Sequence, residues 1–205
     1  MNDDYPILVG VDVETAGFSP TKESFTELGS TMVSTNGKML ANFESFAKPK
    51  HSIPQKIVEL TGITDEMVEN AEPPHIVTEK WIEWIGKKNV ALVGHNLFKF
   101  DLPMLIEPLK EFQNAQIPNY FCIDTLCWIK KFIPYEKGKG THKLEVLTER
   151  IGYKAKKSHR ALDDAKATIA LVAYIIRTFE KPKSIEELRS VLLLNATPLN
   201  KLIRC

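Results

Sequence analysis

The sequence predicts an α/β protein. Three observations carry that expectation: apolar runs that open the chain as strands, an Asn36-Gly37 pair between two of them, and an alternation of strand, helix and strand from Val90 onward. The first run holds Ile7, Leu8, Val9, Val11 and Val13. Phe25 to Val33 then leads through Ser34-Thr35-Asn36-Gly37 into Lys38 to Ala47, so three antiparallel strands are expected at the N-terminus. From Pro54 the spacing of Ile57, Val58 and Leu60 is helical and stops near Gly62, and Thr64-Asp65-Glu66 starts another helix. Ile76, Trp81, Ile82 and Ile85 predict a helix over 76–85. Val90 to Gly94 reads as a short buried strand. Leu102, Leu105, Ile106 and Leu109 mark a helical segment interrupted by Pro103 and Pro108, and Tyr120 to Ile123 is the next strand. Tyr135 to Thr141 is expected as loop and Leu144 to Ile151 as a short amphipathic helix. Arg160 to Phe179 is a long helix with Leu162, Ala165, Ile169, Val172 and Ile176 on one face, and Ser184 to Leu194 a terminal one.

At 205 residues, with 43% hydrophobic and 26% charged residues, the chain fits one globular domain with a sizeable core. A net charge of +1 excludes no partner, since a balanced total can conceal an acidic cleft within a basic surround. Cys122, Cys127 and Cys205 are odd in number and lack CxxC spacing, which argues against a disulfide framework or a thiolate zinc site. No apolar run approaches a membrane span, and Met1-Asn2-Asp3-Asp4 lacks the basic start of a signal peptide. The expected location is intracellular, cytoplasmic or, in a eukaryote, nuclear.

Asp12 and Glu14 lie two residues apart on the first strand, so their side chains share one face. At about 6% of each acid, roughly one Asp-x-Glu pair arises by chance in such a chain, so the context decides. Here the pair alternates within an apolar run that should be central in the sheet, where burial raises the cost of two like charges. Divalent cations would remove that cost, and Mg²⁺ or Mn²⁺ needs only a few carboxylates arriving from different elements. Asp101 in GHNLFKFD and Asp163 or Asp164 in SHRALDDA are the candidates. An acid in the first turn of a helix also simply complements its dipole. His159 directly precedes that helix.

Taken together, Asp12-Val13-Glu14-Thr15, His95-Asn96 with Phe100-Asp101, and His159-x4-Asp164 resemble the three motifs of the DEDDh 3′→5′ exonucleases, the DnaQ-like branch of the ribonuclease H-like superfamily. Phe25-Thr26-Glu27-Leu28-Gly29 and Leu60-Thr61-Gly62-Ile63-Thr64 add to the likeness, which spans about Ile7 to Phe179. The interval from His95 to Asp101 is similar to TREX-type members rather than to many proofreading subunits. The resemblance implies a ribonuclease H-like fold with a central mixed sheet of about five strands flanked by helices. It implies a catalytic domain over residues 1–180, with 181–205 as a C-terminal helical extension packed on it.

It further implies phosphodiester hydrolysis at nucleic acid 3′ ends with release of nucleoside 5′-monophosphates, assisted by two divalent cations, Mg²⁺ or Mn²⁺. Asp12 would bridge both ions, Glu14 and Asp164 would complete the first, Asp101 would hold the second largely through waters, and His159 would be the general base. The resemblance implies Asp164 rather than Asp163, because the family motif it matches has four residues between the histidine and the aspartate. Thr15, Ala16, Gly17 and Phe18 are implied beside the terminal nucleotide. His95 and Asn96 are candidates for the same region, although a strand-end His-Asn pair more often makes structural hydrogen bonds. Phe18 and Phe98 are candidate base-stacking platforms or core residues. Lys154, Lys156, Lys157 and Arg160 flank His159 and could ease the approach of phosphates, as could Lys99 and Lys143. The expected substrate is DNA, single-stranded or frayed. RNA ends are the alternative, and a non-catalytic 3′-end or protein-binding module of the same fold is the third reading. A polymerase or other nucleic-acid-processing partner is compatible with each.

Overall fold

A computed structural model of the chain describes residues 7–19, 24–86, 89–110, 118–136, 138–153 and 159–202. Its centre is a mixed sheet of six strands among the described residues, in the order β3-β2-β1-β4-β5-β6. Strands β1 (Ile7–Thr15), β2 (Phe25–Val33) and β3 (Met39–Phe46) form the expected antiparallel meander. β4 (Val90–Gly94) and β5 (Phe121–Asp124) run parallel to β1 on its other side. The sixth strand, β6 (Thr197–Pro198), pairs antiparallel with β5. Two residues ending in proline carry no alternation, so this strand left no periodic trace in the sequence.

The period of two along β1 divides the molecule. Val9, Val11 and Val13 join a core with Phe25, Leu28, Trp81, Leu92, Leu102 and Leu105, under α3 (Pro74–Ile85) and α4 (Asp101–Lys110). Leu8 joins the opposite core with Val93, Ile123, Leu171 and Val172, under α7 (Ala161–Ile175). Asp12 and Glu14 have the parity of Leu8, so they belong to the α7 face.

Gly62, at φ 72°, caps α1 (Gln55–Thr61), and Thr64 precedes α2 (Asp65–Val68), as the turn residues predict. Helix α4 corrects one expectation, because it runs unbroken through both prolines. Pro103 lies in the first turn, where an amide proton has no helical acceptor, and Pro108 lies in the last turn. The chain continues through α5 (Thr125–Ile129), α6 (Leu144–Arg150), α7 with a π-helical turn at Ile176–Glu180, α8 (Ile185–Leu194) and α9 (Leu199–Leu202). The buried face of α7 also includes Thr168, Leu171 and Ile175, whereas Leu162 and Ile169 are only half-buried. The helix packs against α5 and α6 as well as the sheet, which widens its apolar stripe. No helix among the described residues is long and apolar enough to cross a membrane.

Two glycines let α7 lie directly on the strands. A Cβ on Gly29 of β2 would stand 2.0 Å from the backbone nitrogen of Leu162, and one on Gly10 of β1 would stand 2.7 Å from the carbonyl oxygen of Ala165. Backbone on the far side cannot yield cheaply, so any side chain at Gly29 must lift the start of α7. Gly29→Ala is expected to destabilise the protein by about 1–3 kcal/mol or more, the usual scale for overpacking. Equal denaturation midpoints for Gly29→Ala and the parent would contradict this seating.

Candidate active site

The acidic residues converge where the sheet opens. Pairing between β1 and β4 stops near Gly10 and Val93, while β1 continues to Thr15. The exposed edge of β1 is met by Asp101, the first residue of α4, whose Oδ1 accepts the Val13 amide at 3.2 Å. Asp101 is therefore buried within the sheet plane and sits beside Asp12. A bulge between Glu14 and Thr15 ends the regular β1–β2 ladder there.

Asp164 arrives from above, in the first turn of α7. Its Oδ2 accepts the His159 amide at 3.2 Å, and His159 adopts the left-handed conformation at φ 61°. A non-glycine residue held there is strained and persists when its surroundings dictate it. Ligand atoms of Glu14, His159 and Asp164 lie within 4.8 Å of one another. Residues of the three motifs, carried by β1, α4 and the start of α7, thus come together at the open end of β1.

Crowding shows in the protonation behaviour. Burial first, and then repulsion from Asp101, Asp164, Glu14 and Glu27, holds Asp12 well above the usual carboxylate range. Glu14 is pushed up to about 8 by burial and by Asp164, Glu27 and Asp101, against an opposing pull from Arg160. Asp101 rises to about 7 through burial, moderated by its own amide and that of Val13. Asp164 rises to about 6, moderated by the His159 amide.

His95 and Asn96 are used by the protein itself. The ring nitrogens of His95 meet Thr125 Oγ1 at 2.9 Å and the carbonyl of His142 at 2.7 Å, and burial lowers its proton affinity. A carbonyl can only accept, so Nε2 carries the hydrogen that it donates to His142. Asn96 has φ 71°. Asp124, the N-cap of α5, accepts the amides of Asn96, Phe98 and Leu126 at 3.1, 3.2 and 2.9 Å. It braces the turn that delivers Asp101, a role the sequence reading missed although Asp-Thr after a strand is a helix-start signal. Phe98 is half-buried against the core under α4.

Beyond the bulge, the Thr15 hydroxyl donates to the Gly17 carbonyl at 2.7 Å and the Ala16 amide to Ser24. Phe18 is 78% exposed, its ring centroid 6.4 Å from that of Phe100. Arg160 corrects an expectation. Rather than facing solvent as a cation for phosphates, it ends on Glu27, with Nε 3.0 and 3.1 Å from the two carboxylate oxygens, and on Glu44 at 3.3 Å. Lys154, Lys156 and Lys157 lie outside the described residues. Glu27, fully buried, enters the sequence analysis only within the run Phe25 to Gly29. Its signal is strand parity with Gly29, which places it on the α7 face opposite Glu14.

A family model described as exonuclease, of the RNase T type, matches residues 9–172. The chain belongs to this exonuclease family. The DEDDh resemblance in its motifs is of the same kind, and one solved neighbour, the nuclease domain of 3′hExo bound to rAMP, is described as a DEDDh member. That exonuclease superposes with a TM-score of 0.71 at 18% identity over 87% of this chain and 96% of its own. The zinc-bound Escherichia coli exonuclease I–single-stranded DNA complex gives 0.75 at 16% identity, over 87% of this chain and 42% of its own. At such identities the likeness is one of fold. In sequence, the chain is 31% identical over 175 residues to the PolC-type DNA polymerase III of Listeria innocua and 32% over 166 residues to that of Bacillus subtilis. These alignments span 85% and 81% of this chain but only 12% and 11% of the polymerases.

Exonucleases of this family generally use divalent metal ions, and the donors here fit one. Hard oxygens from several elements, with more buried negative charge than the protein neutralises, suit a hard dication. The sign of the metal-free pH dependence follows. Folded-state values above those of the unfolded chain mean that stabilisation is full below the unfolded carboxylate range, about pH 4, and is lost as pH rises through about 6, 7 and 8. In chelator the Tm should fall between about pH 5 and about pH 9, and a divalent cation should restore most of the loss at the upper end. A metal-free Tm that rises over this interval would contradict the cluster.

Proposed function

We propose that the chain is a metal-dependent 3′→5′ exonuclease that hydrolyses the terminal phosphodiester of a DNA strand, single-stranded or frayed, and releases nucleoside 5′-monophosphates. The observation that carries the reading is the meeting of Glu14, His159 and Asp164 within 4.8 Å, with Asp12 and Asp101 beside them. Asp12, Glu14, Asp101 and Asp164 would hold two divalent cations, Mg²⁺ or Mn²⁺. When bound, such ions supply charge that activates the attacking water and stabilises the leaving 3′ oxygen.

The chain's own residues do the rest. His159 takes the proton of the attacking water on its ring, and its backbone is held in place by Asp164. Thr15, Ala16, Gly17 and Phe18 form the side of the cleft that receives the terminal nucleotide, with Phe18 exposed for stacking. His95 acts on the substrate through Asp101, because both its ring nitrogens are taken up in holding the turn before it, and Asp124 holds the same turn at the Asn96 backbone amide. Phe98, packed against the core, serves the same turn.

The PolC-type relatives support DNA as substrate and a polymerase or other nucleic-acid-processing partner. A neighbour described as a 3′-exonuclease recognising a histone mRNA stem-loop supports 3′ RNA ends as the second reading. A 5′-labelled single strand of each type, with Mn²⁺, should shorten stepwise from its 3′ end, DNA faster than RNA. Cleavage of circular single strands at a similar rate would overturn the exonuclease reading.

Substitutions separate the roles. His159→Ala should cost about 10²–10⁴-fold in turnover and leave cation binding nearly intact, whereas Asp164→Asn should weaken both. Asp163→Asn should cost about 0.3–1 kcal/mol of stability and little turnover. Loss of metal-dependent activity in Asp163→Asn but not in Asp164→Asn would shift the motif by one residue.

A further inference from the structure

We infer that Glu27 and Arg160, neither of which faces the reacting atoms, form a positioning pair that sets His159 and Asp164 against Glu14; this rests on the exonuclease reading of the site. Glu27 pairs with Glu14 across the β1–β2 ladder and is completely buried. Burying a carboxylate is expensive unless it is paired and hydrogen-bonded, and here every partner comes from the start of α7. Arg160 donates through Nε to both oxygens and through Nη2 to Oε1 at 2.5 Å, while the Ala161 amide donates to Oε2 at 3.0 Å.

These contacts hold the chain on the C-terminal side of His159 by the Arg160 side chain and by the Ala161 backbone amide. On its own side, the His159 amide is held by Asp164. The Arg160 guanidinium also lies 5.7 Å from the centre of the Phe46 ring and reaches Glu44, so its orientation is set from β3 as well. Gly29 fixes how close α7 comes to the sheet, but a glycine contact leaves the helix free to slide along the strand. A planar fork on a carboxylate does not, because its two donors match two oxygens in a single orientation. Glu27 is thereby the reference point from which the distance between Glu14 on β1 and the residues His159 and Asp164 is set.

An electrostatic role for the same residues makes the opposite forecast for cations. Removing the anion of Glu27 would weaken cation binding, whereas removing the positive charge of Arg160 would strengthen it. Positioning requires both to weaken it.

The test uses the full chain with Glu27→Gln, Arg160→Gln, their double variant and Arg160→Lys. Mn²⁺ affinity is measured by calorimetry, kcat and KM on a 5′-labelled single-stranded DNA, and folding by circular dichroism at a temperature where all variants are folded. Each single Gln variant should lose about 10–100-fold in Mn²⁺ affinity, the usual scale for groups that orient metal ligands, and should lower kcat with KM little changed. The double variant should be no worse than the worse single, and Arg160→Lys, which keeps the charge but not the fork, should lie between. Opposite effects of the two single variants on Mn²⁺ affinity would overturn the inference. So would losses that multiply in the double variant, a rise in KM at unchanged kcat, or a lower Tm with affinity and kcat retained. If the parent chain releases no mononucleotide from either nucleic acid, the exonuclease reading fails, and the Mn²⁺ titrations still decide the positioning pair.

Discussion

The site depends on how closely α7 approaches the first two strands. Its backbone at Ala161, Leu162 and Ala165 occupies the space that side chains at Gly29 and Gly10 would fill. Only that approach brings a residue in the first turn of a helix level with carboxylates standing on a strand. The rest of the molecule is consistent with keeping it: Leu171, Val172 and Ile175 bury the far part of α7, and α5 and α6 close over it. Close-packed backbone yields little, so this approach sets the height of Asp164 above the strands that carry Asp12 and Glu14.

Concentrating acids this way has an electrostatic cost, and the chain offsets only part of it. Glu27 is matched by Arg160 and the Ala161 amide, Asp101 by backbone amides including that of Val13, and Asp164 by the amide of His159. Asp12 and Glu14 receive least and are among the most perturbed. Uncompensated negative charge beside matched negative charge suits a hard dication. The same field draws protons, so a cation held by these carboxylates would displace them.

The cleft opens where β4 stops and β1 continues, at the C-terminal ends of parallel strands, the place where ligands enter open α/β sheets. Asp124 and His95 turn that opening into a defined geometry. Both spend their hydrogen-bonding capacity on backbone and on Thr125, so the turn from Gly94 to Asp101 is held from β5 and from the loop before α6. Polar residues at a site can serve the reaction entirely by fixing the backbone that presents another group.

The sequence by itself determined the strand meander, the Asn-Gly hairpin, the shared face of Asp12 and Glu14, and the family, since periodicity, turn chemistry and motif spacing are local properties. It also determined which helix would carry Asp164. Tertiary structure alone decided that Arg160 serves Glu27 rather than phosphate, that Asp124 braces the Asp101 turn, that α4 runs through Pro103 and Pro108, and that Thr197–Pro198 adds a sixth strand. Glu27 and Arg160 are 133 residues apart in sequence. No periodicity links them, and their pairing exists only once the two glycines have allowed backbone to meet backbone, so the physical cause of the partnership is a distance that a linear chain does not contain.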